Sequence, residues 1–375
     1  MTPFEFHART RVVFGAGQVS RVGEIAAEFG HRALLVADPG IVEAGHASQV
    51  TRLLESAGVG VVSFEDFGEN PDSRAVARGR DIAAPERVEL IVAVGGGSSL
   101  DCAKGINFVL GGAGSIADYR GYGRARGPML PMIAVPTTAG TGSEAQSYAV
   151  LSDADTHVKM ACGDPGAAFR VAVLDPELTV TAPRSVTAAA GIDAVSHAIE
   201  TWVTTRRTPL SDLFSREAWR LLSTGLLPAL VSPSDIEARA AMQLGAFYAG
   251  LAIEHSMLGA THACANPLTQ HYGTTHGVAI ALLLPHVVRW NSRIAGDRYA
   301  ELAAVRGESR RPELLLTRLE DLIAAGEFPG SLSLAGVPER DLPNLATAAA
   351  DQWTGKFNPR PFDVAGALEI YAAAY

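Results

Sequence analysis

The chain has 375 residues, 47% of them hydrophobic and 19% charged, and a formal charge of −9 from 31 Lys and Arg against 40 Asp and Glu. That composition excludes a disordered chain, which lacks the apolar surface to offset its ordering entropy. It also makes nucleic-acid backbones and anionic membrane surfaces poor partners. No apolar run reaches the ~18–20 residues of a membrane span, and the N-terminus shows no basic-then-apolar leader. Cys102, Cys162 and Cys264 are scattered and form no CxxC pair, which fits a reducing cytoplasm better than a disulfide framework. At roughly 100–200 residues per domain, two domains are expected.

In chain order, residues 33–38, 59–64, 90–94, 132–135 and 171–174 are short apolar runs, several ending at Gly or Pro. Continuous runs of this kind suit strands buried on both faces of a parallel sheet. Residues 50–57 and 75–83 between them carry apolar residues at helical spacing, so the first half reads as an open α/β sheet. After Leu174 strand-like runs nearly stop. Residues 186–203, 210–222, 235–251 and 312–325 are rich in Ala and Leu with helical periodicity. The expected division is an α/β domain over 1–180 and an all-helical domain over 181–375, with the break near Pro183.

Four motifs carry candidate chemistry. Val94-Gly95-Gly96-Gly97-Ser98-Ser99-Leu100-Asp101 follows a strand and opens a helix, so its backbone N–H groups can approach a phosphate. A tight turn explains the same glycines. Asp38, at the end of an early strand, is placed either to bind a ribose hydroxyl, which would favour NAD over NADP, or to cap the next turn. Pro136-Thr137-Thr138-Ala139-Gly140-Thr141-Gly142-Ser143-Glu144 offers hydroxyls and glycines at another strand end, as a solvent loop also would. Asp193 and His197 share one helical face, and a simple hydrogen bond between them is the plainer reading. His262, His271 and His276 follow in a small-residue stretch. One carboxylate and three imidazoles brought together would suit Fe²⁺ or Zn²⁺ rather than Mg²⁺ or Ca²⁺.

In this order and spacing, the motifs resemble the iron-containing (group III) alcohol dehydrogenase family. The resemblance runs from Val13-Phe14-Gly15-Ala16-Gly17 through Asn70-Pro71, the glycine and threonine motifs, Lys159-Met160 and Leu174-Asp175-Pro176-Glu177-Leu178. It continues through Gly191 to Glu200 and Leu284-Pro285-His286-Val287, and ends at Asn358-Pro359-Arg360-Pro361. It implies a Rossmann-like dinucleotide-binding domain followed by an all-helical domain, the dehydroquinate synthase-like architecture, in a homo-oligomer built on a dimer. Asp193, His197, His262 and His276 become the metal ligands, for iron with zinc as the alternative. Asp38, Asn70, Gly96, Gly97, Ser98, Asp101, Thr137, Thr138, Thr141, Lys159 and Leu178 become the cofactor set, for NAD with NADP as the alternative.

The implied reaction is hydride transfer between a nicotinamide and a small alcohol or aldehyde. The alternatives are a dehydroquinate synthase-like lyase using NAD transiently, and a non-catalytic dinucleotide-binding protein. One departure stands out: the family often carries a second histidine four residues after the third ligand, and here that residue is Asn266. Asparagine binds a hydroxyl but does not titrate. Asn266 and, further along, His271 are therefore the catalytic candidates. Arg206, Arg207 and Lys356 are candidates for an anionic substrate tail, although surface solvation is the commoner fate of such residues.

Overall fold

The computed structural model describes residues 4–112, 114–307 and 309–375. The chain divides into two compact units, His7–Ala182 and Pro183–Tyr375, the second also taking in residues 4–6.

The first unit is an α/β sandwich. Its strands are β1 (Arg11–Phe14), β2 (Arg32–Val36), β3 (Gly60–Phe64), β4 (Leu90–Gly95), β5 (Gly121–Tyr122), β6 (Met132–Pro136), β7 (Tyr148–Ser152), β8 (Lys159–Gly163) and β9 (Val171–Leu174). Its helices are α1 (Val22–Ala27), α2 (Pro39–Glu43), α3 (His46–Ser56), α4 (Ser73–Glu86) and α5 (Gly97–Leu110). Six strands form a parallel sheet in the order β1-β9-β6-β4-β2-β3, with Leu34 opposite Ile91 and Ala93 opposite Ala134. Strands β4 and β6 are buried along their whole length, which is why they read as unbroken apolar runs. Leu35, Val92, Val94, Ile133 and Val173 share a core with Val22, Ile25, Val50 and Leu54 of α1 and α3.

Strand order decides where a ligand fits. From β2 the chain turns to β3 at one edge, whereas from β4 it turns to β6 on the other side. The loops after β2 and β4 therefore diverge, and the carboxyl ends of strands at such a switch point are where open α/β sheets bind ligands.

Two features were not expected from the sequence. Strand β1 lies at the sheet edge and buries only Val13, so four residues gave no clear apolar run. The three-stranded sheet β5-β8-β7 is half-exposed and mixes Lys159, Tyr148 and Ser152 with its apolar residues, which hides its period.

The second unit contains no strand among the described residues. It comprises α6 (Arg184–Val203), α7 (Pro209–Val231), α8 (Ile236–Glu254), α9 (Ala260–Tyr272), α10 (His276–Ala303), α11 (Pro312–Gly326), α12 (Leu342–Ala350) and α13 (Val364–Ala374). Helix α6 is the central element, buried without interruption from Gly191 to Val203. Helix α7 runs past the expected 222 to Val231 and carries Pro228 in its last turn, where little of the helix remains to be disrupted. At the start of α10, a Cβ on Gly277 would collide with the carbonyl oxygen of Ala189. The missing side chain lets α10 begin directly against the backbone of α6. None of the described helices is long and apolar enough to cross a membrane.

Candidate functional site

On α6, Asp193, His197 and Glu200 sit at i, i+4 and i+7 and therefore share one face. Helix α9 supplies His262 from its first turn, and α10 supplies His276 from its first residue. The three imidazoles converge on one carboxylate oxygen. Asp193 Oδ1 lies 3.3 Å from His197 Nε2, 3.5 Å from His262 Nε2 and 3.6 Å from His276 Nε2. The Nε2 atoms of His197 and His262 are themselves 3.1 Å apart. Ligand atoms of Asp193, His262 and His276 all fall within 4.8 Å of one another.

Despite these neighbours, Asp193 Oδ1 is buried and makes no hydrogen bond of good geometry. An acceptor taken out of water without a well-aligned donor is costly, and the three Nε2 atoms gathered around it do not satisfy it. A divalent cation does. Three imidazole nitrogens and one carboxylate oxygen match a transition metal rather than an oxygen-seeking Mg²⁺ or Ca²⁺.

The charges are mutually supporting. Burial alone would raise the Asp193 pKa, but His197, His262 and His276 outweigh it and hold the carboxyl well below the ordinary range. Burial opposes a charge on His262, yet the nearby carboxylate of Asp193 and the hydrogen-bonded carboxylate of Glu200 push its pKa up to about 9. Glu200, also opposed by burial, is held below its usual value chiefly by its bond to His262.

Glu200 is a residue the motif reading passed over, although its i+7 spacing from Asp193 was visible. Its Oε2 lies 2.6 Å from His262 Nδ1, and its Oε1 accepts the Thr261 backbone N–H at 2.6 Å. With Nδ1 donating to Glu200, the Nε2 lone pair of His262 is left facing the centre. Helix α9 begins after Gly259, which has no side chain to cap it. Two distant side chains do so instead: Glu200 at Thr261, and Asn358 Oδ1 at the Ala260 N–H, 3.2 Å away. Asn358 is in turn fixed by reciprocal amide bonds with Asn291. No local pattern in the sequence marks that role, because Asn358 lies far along the chain from α9.

Asn266, one turn beyond His262, occupies the same face of α9 and donates from Nδ2 to Gln352 Oε1 at 3.1 Å. His271 does not join this group. Nine residues at about 100° each carry it to the opposite side of α9, where it is exposed.

Most of the cofactor candidates lie at the carboxyl ends of β2, β4 and β6, while Asn70 follows β3, Lys159 opens β8 and Leu178 follows β9. Asp38 caps α2, its Oδ1 accepting the Ile41 N–H, while its Oδ2 accepts the Ser99 hydroxyl at 2.8 Å. The capping reading is thus realised. Asn70, at φ 52°, donates its N–H to Ser98 Oγ at 3.4 Å. A Cβ on Gly96 would meet Thr138, and one on Gly97 would press into Thr141, so these threonines lie against the glycine backbone. Thr137 Oγ1 is buried and without a hydrogen-bond partner. Helix α5 starts behind Gly96 with no side-chain cap. Lys159 opens β8 and is half-buried. Asp101 instead turns inward, accepting from the Ser143 hydroxyl and the Val150 N–H. Leu178 is 4% exposed and belongs to the sheet core.

Comparison with known proteins agrees over nearly the whole length. Residues 9–176 match the family described as iron-containing alcohol dehydrogenase, and residues 187–375 match the C-terminal part of the Fe-containing alcohol dehydrogenase family. The chain is 34% identical over 366 residues to the NAD-dependent methanol dehydrogenase of Bacillus methanolicus, covering 96% of each. It is 31% identical over 373 residues to the lactaldehyde reductase of Escherichia coli K12, covering 96% of this chain and 97% of that one. The solved structure of a 1,3-propanediol oxidoreductase superposes with a TM-score of 0.96 at 32% identity, over 100% of both chains. With residues 9–176 and 187–375 both matched, this chain belongs to the iron-containing alcohol dehydrogenase family of oxidoreductases.

Proposed function

We propose that this oxidoreductase interconverts a small alcohol and its aldehyde using NAD and a divalent transition metal, iron or zinc, held by Asp193, His197, His262 and His276. The observation that carries the reading is the buried, unsatisfied Asp193 Oδ1 with three imidazole nitrogens around it. Bound there, a metal would supply Lewis acidity toward an alcohol or carbonyl oxygen, and a nicotinamide would supply the hydride chemistry. The protein's own share is positional. Glu200 keeps the proton of His262 on Nδ1, and the start of α10 against α6 sets His276 beside Asp193.

On the sheet unit, the bare N-terminus of α5, the glycines behind it and the unpartnered Thr137 hydroxyl suit a pyrophosphate. Asp38 sits at the end of β2, where its carboxylate suits a ribose hydroxyl and repels a 2′-phosphate, which supports NAD over NADP. The Bacillus methanolicus relative is NAD-dependent by name, in keeping with that preference. Asn266 contributes a non-titrating amide on the face of His262, suited to orienting a substrate hydroxyl rather than relaying its proton.

The test is metal content of protein purified without chelator, together with NADH and NADPH oxidation against short aldehydes. Near-stoichiometric iron or zinc with aldehyde-dependent NADH loss is expected. Turnover without net change in NADH would point instead to a lyase.

A further inference from the structure

We propose that Asp101 and Lys104 are positioning residues for the dinucleotide, acting through Ser143 to hold Thr141 against the glycine backbone at the start of α5. The assignment rests on the dinucleotide reading of these loops. It changes the role of Asp101 from a cofactor contact to a support.

Lys104 has no exposed surface, and a buried ammonium is tolerated only when paired and hydrogen-bonded. Its Nζ donates to the Ser143 carbonyl and hydroxyl oxygens, both at 2.8 Å, and to the Tyr148 carbonyl at 2.7 Å. It also stands 3.7 Å from Asp101 Oδ1, one turn back on α5. Asp101 Oδ1 accepts the Ser143 hydroxyl at 2.5 Å, and its Oδ2 accepts the Val150 N–H at 3.0 Å. All of these bonds run from one turn of α5 to the segment 143–150.

That segment continues a loop poor in packing groups. Gly140 and Gly142 flank Thr141, and Gly142 adopts φ 61°, so side chains do little to fix the loop's course. Ser143 ties it to α5, and the Ser143 N–H donates to Thr141 Oγ1 at 3.3 Å. Thr141 in turn fills the space a Cβ on Gly97 would need. The chain of contacts therefore runs from Asp101 and the buried Lys104 through Ser143 and Thr141 to the backbone where a pyrophosphate would sit. Asp38, at the end of β2, bonds Ser99 on α5 but makes none of the contacts with Ser143 or Thr141, so the adenosine half of the ligand has a support of its own.

The experiment compares Ser143→Ala, Ser143→Thr and Lys104→Met with the wild type in titrations with NADH, ADP-ribose and AMP. Metal content and steady-state kinetics are measured alongside. Loss of the two hydrogen bonds that the Ser143 hydroxyl makes with charged partners, Asp101 and Lys104, predicts that Ser143→Ala weakens NADH and ADP-ribose by about tenfold. AMP binding and metal content should be unchanged, and KM for NADH should rise more than kcat falls. Ser143→Thr keeps the hydroxyl and restores affinity, while Lys104→Met repeats the selective loss at lower thermal stability. Wild-type ADP-ribose affinity in Ser143→Ala would overturn the proposal. So would an equal loss of AMP and ADP-ribose, which marks general loosening of the fold. A wild-type protein that binds neither NADH nor ADP-ribose would overturn the dinucleotide reading itself, and this assignment with it.

Discussion

Glu200 shows how a carboxylate outside the proposed ligand set governs one inside it. Both of its oxygens are committed, one to the His262 ring and one to the backbone at the start of α9. Replacing it with Gln removes the charge and leaves one amide to serve two donors. Glu200→Gln is expected to weaken metal affinity by about 10–100-fold, as measured by competition with a chelator. Protonation gives a second test at this scale. In the metal-free protein, His262 is raised to about 9 from its ordinary 6.5. Its contribution to stability is therefore complete below about pH 6.5 and is lost as pH rises toward about 9. The melting temperature of chelator-stripped protein should fall across that interval. Metal affinity should move the other way, rising with pH over the same range because the ligating imidazole must shed its proton. A pH-independent metal affinity would contradict the His262 assignment.

Among the elements, burial decided what could be read from the sequence. Strands β2, β4, β6 and β9 are buried on both faces and stand out as apolar runs, whereas β1 and the small sheet mix exposed and buried positions and do not. In the helical unit, Asp193 and His197 could be assigned to one face from spacing alone. The approach of α9 and α10 could not, because it depends on Asn358 capping a distant helix and on Gly277 meeting the α6 backbone. Gly277 makes the second dependence testable. In Gly277→Ala the new methyl must displace the start of α10 from Ala189, which costs about 1–3 kcal/mol as overpacking. Thermal unfolding should report that loss, and chelator competition should show weaker metal binding because His276 is carried along. A destabilised variant with undiminished metal affinity would mean that His276 is not set by this contact.

At the scale of the molecule, the two kinds of chemistry are carried by different units. The sheet unit presents the strand-end loops suited to a dinucleotide, and the helical unit gathers one carboxylate and three imidazoles from α6, α9 and α10. The α/β and helical parts were legible because each has its own pattern, buried runs in the first and helical periodicity in the second. The division of chemistry between them predicts separable losses. Changing a donor in the helical unit should abolish metal binding and turnover but leave NADH titrations close to wild type.

The most direct test is the metal content of wild-type and His262→Ala proteins, purified in parallel without chelator, with aldehyde-dependent NADH oxidation followed in the same samples. The wild type should carry close to one iron or zinc per chain and turn over, and His262→Ala should carry none and be inactive while still binding NADH. A metal-free His262→Ala protein that reduces aldehydes at the wild-type rate would contradict the assignment of Asp193, His197, His262 and His276 as the catalytic metal centre.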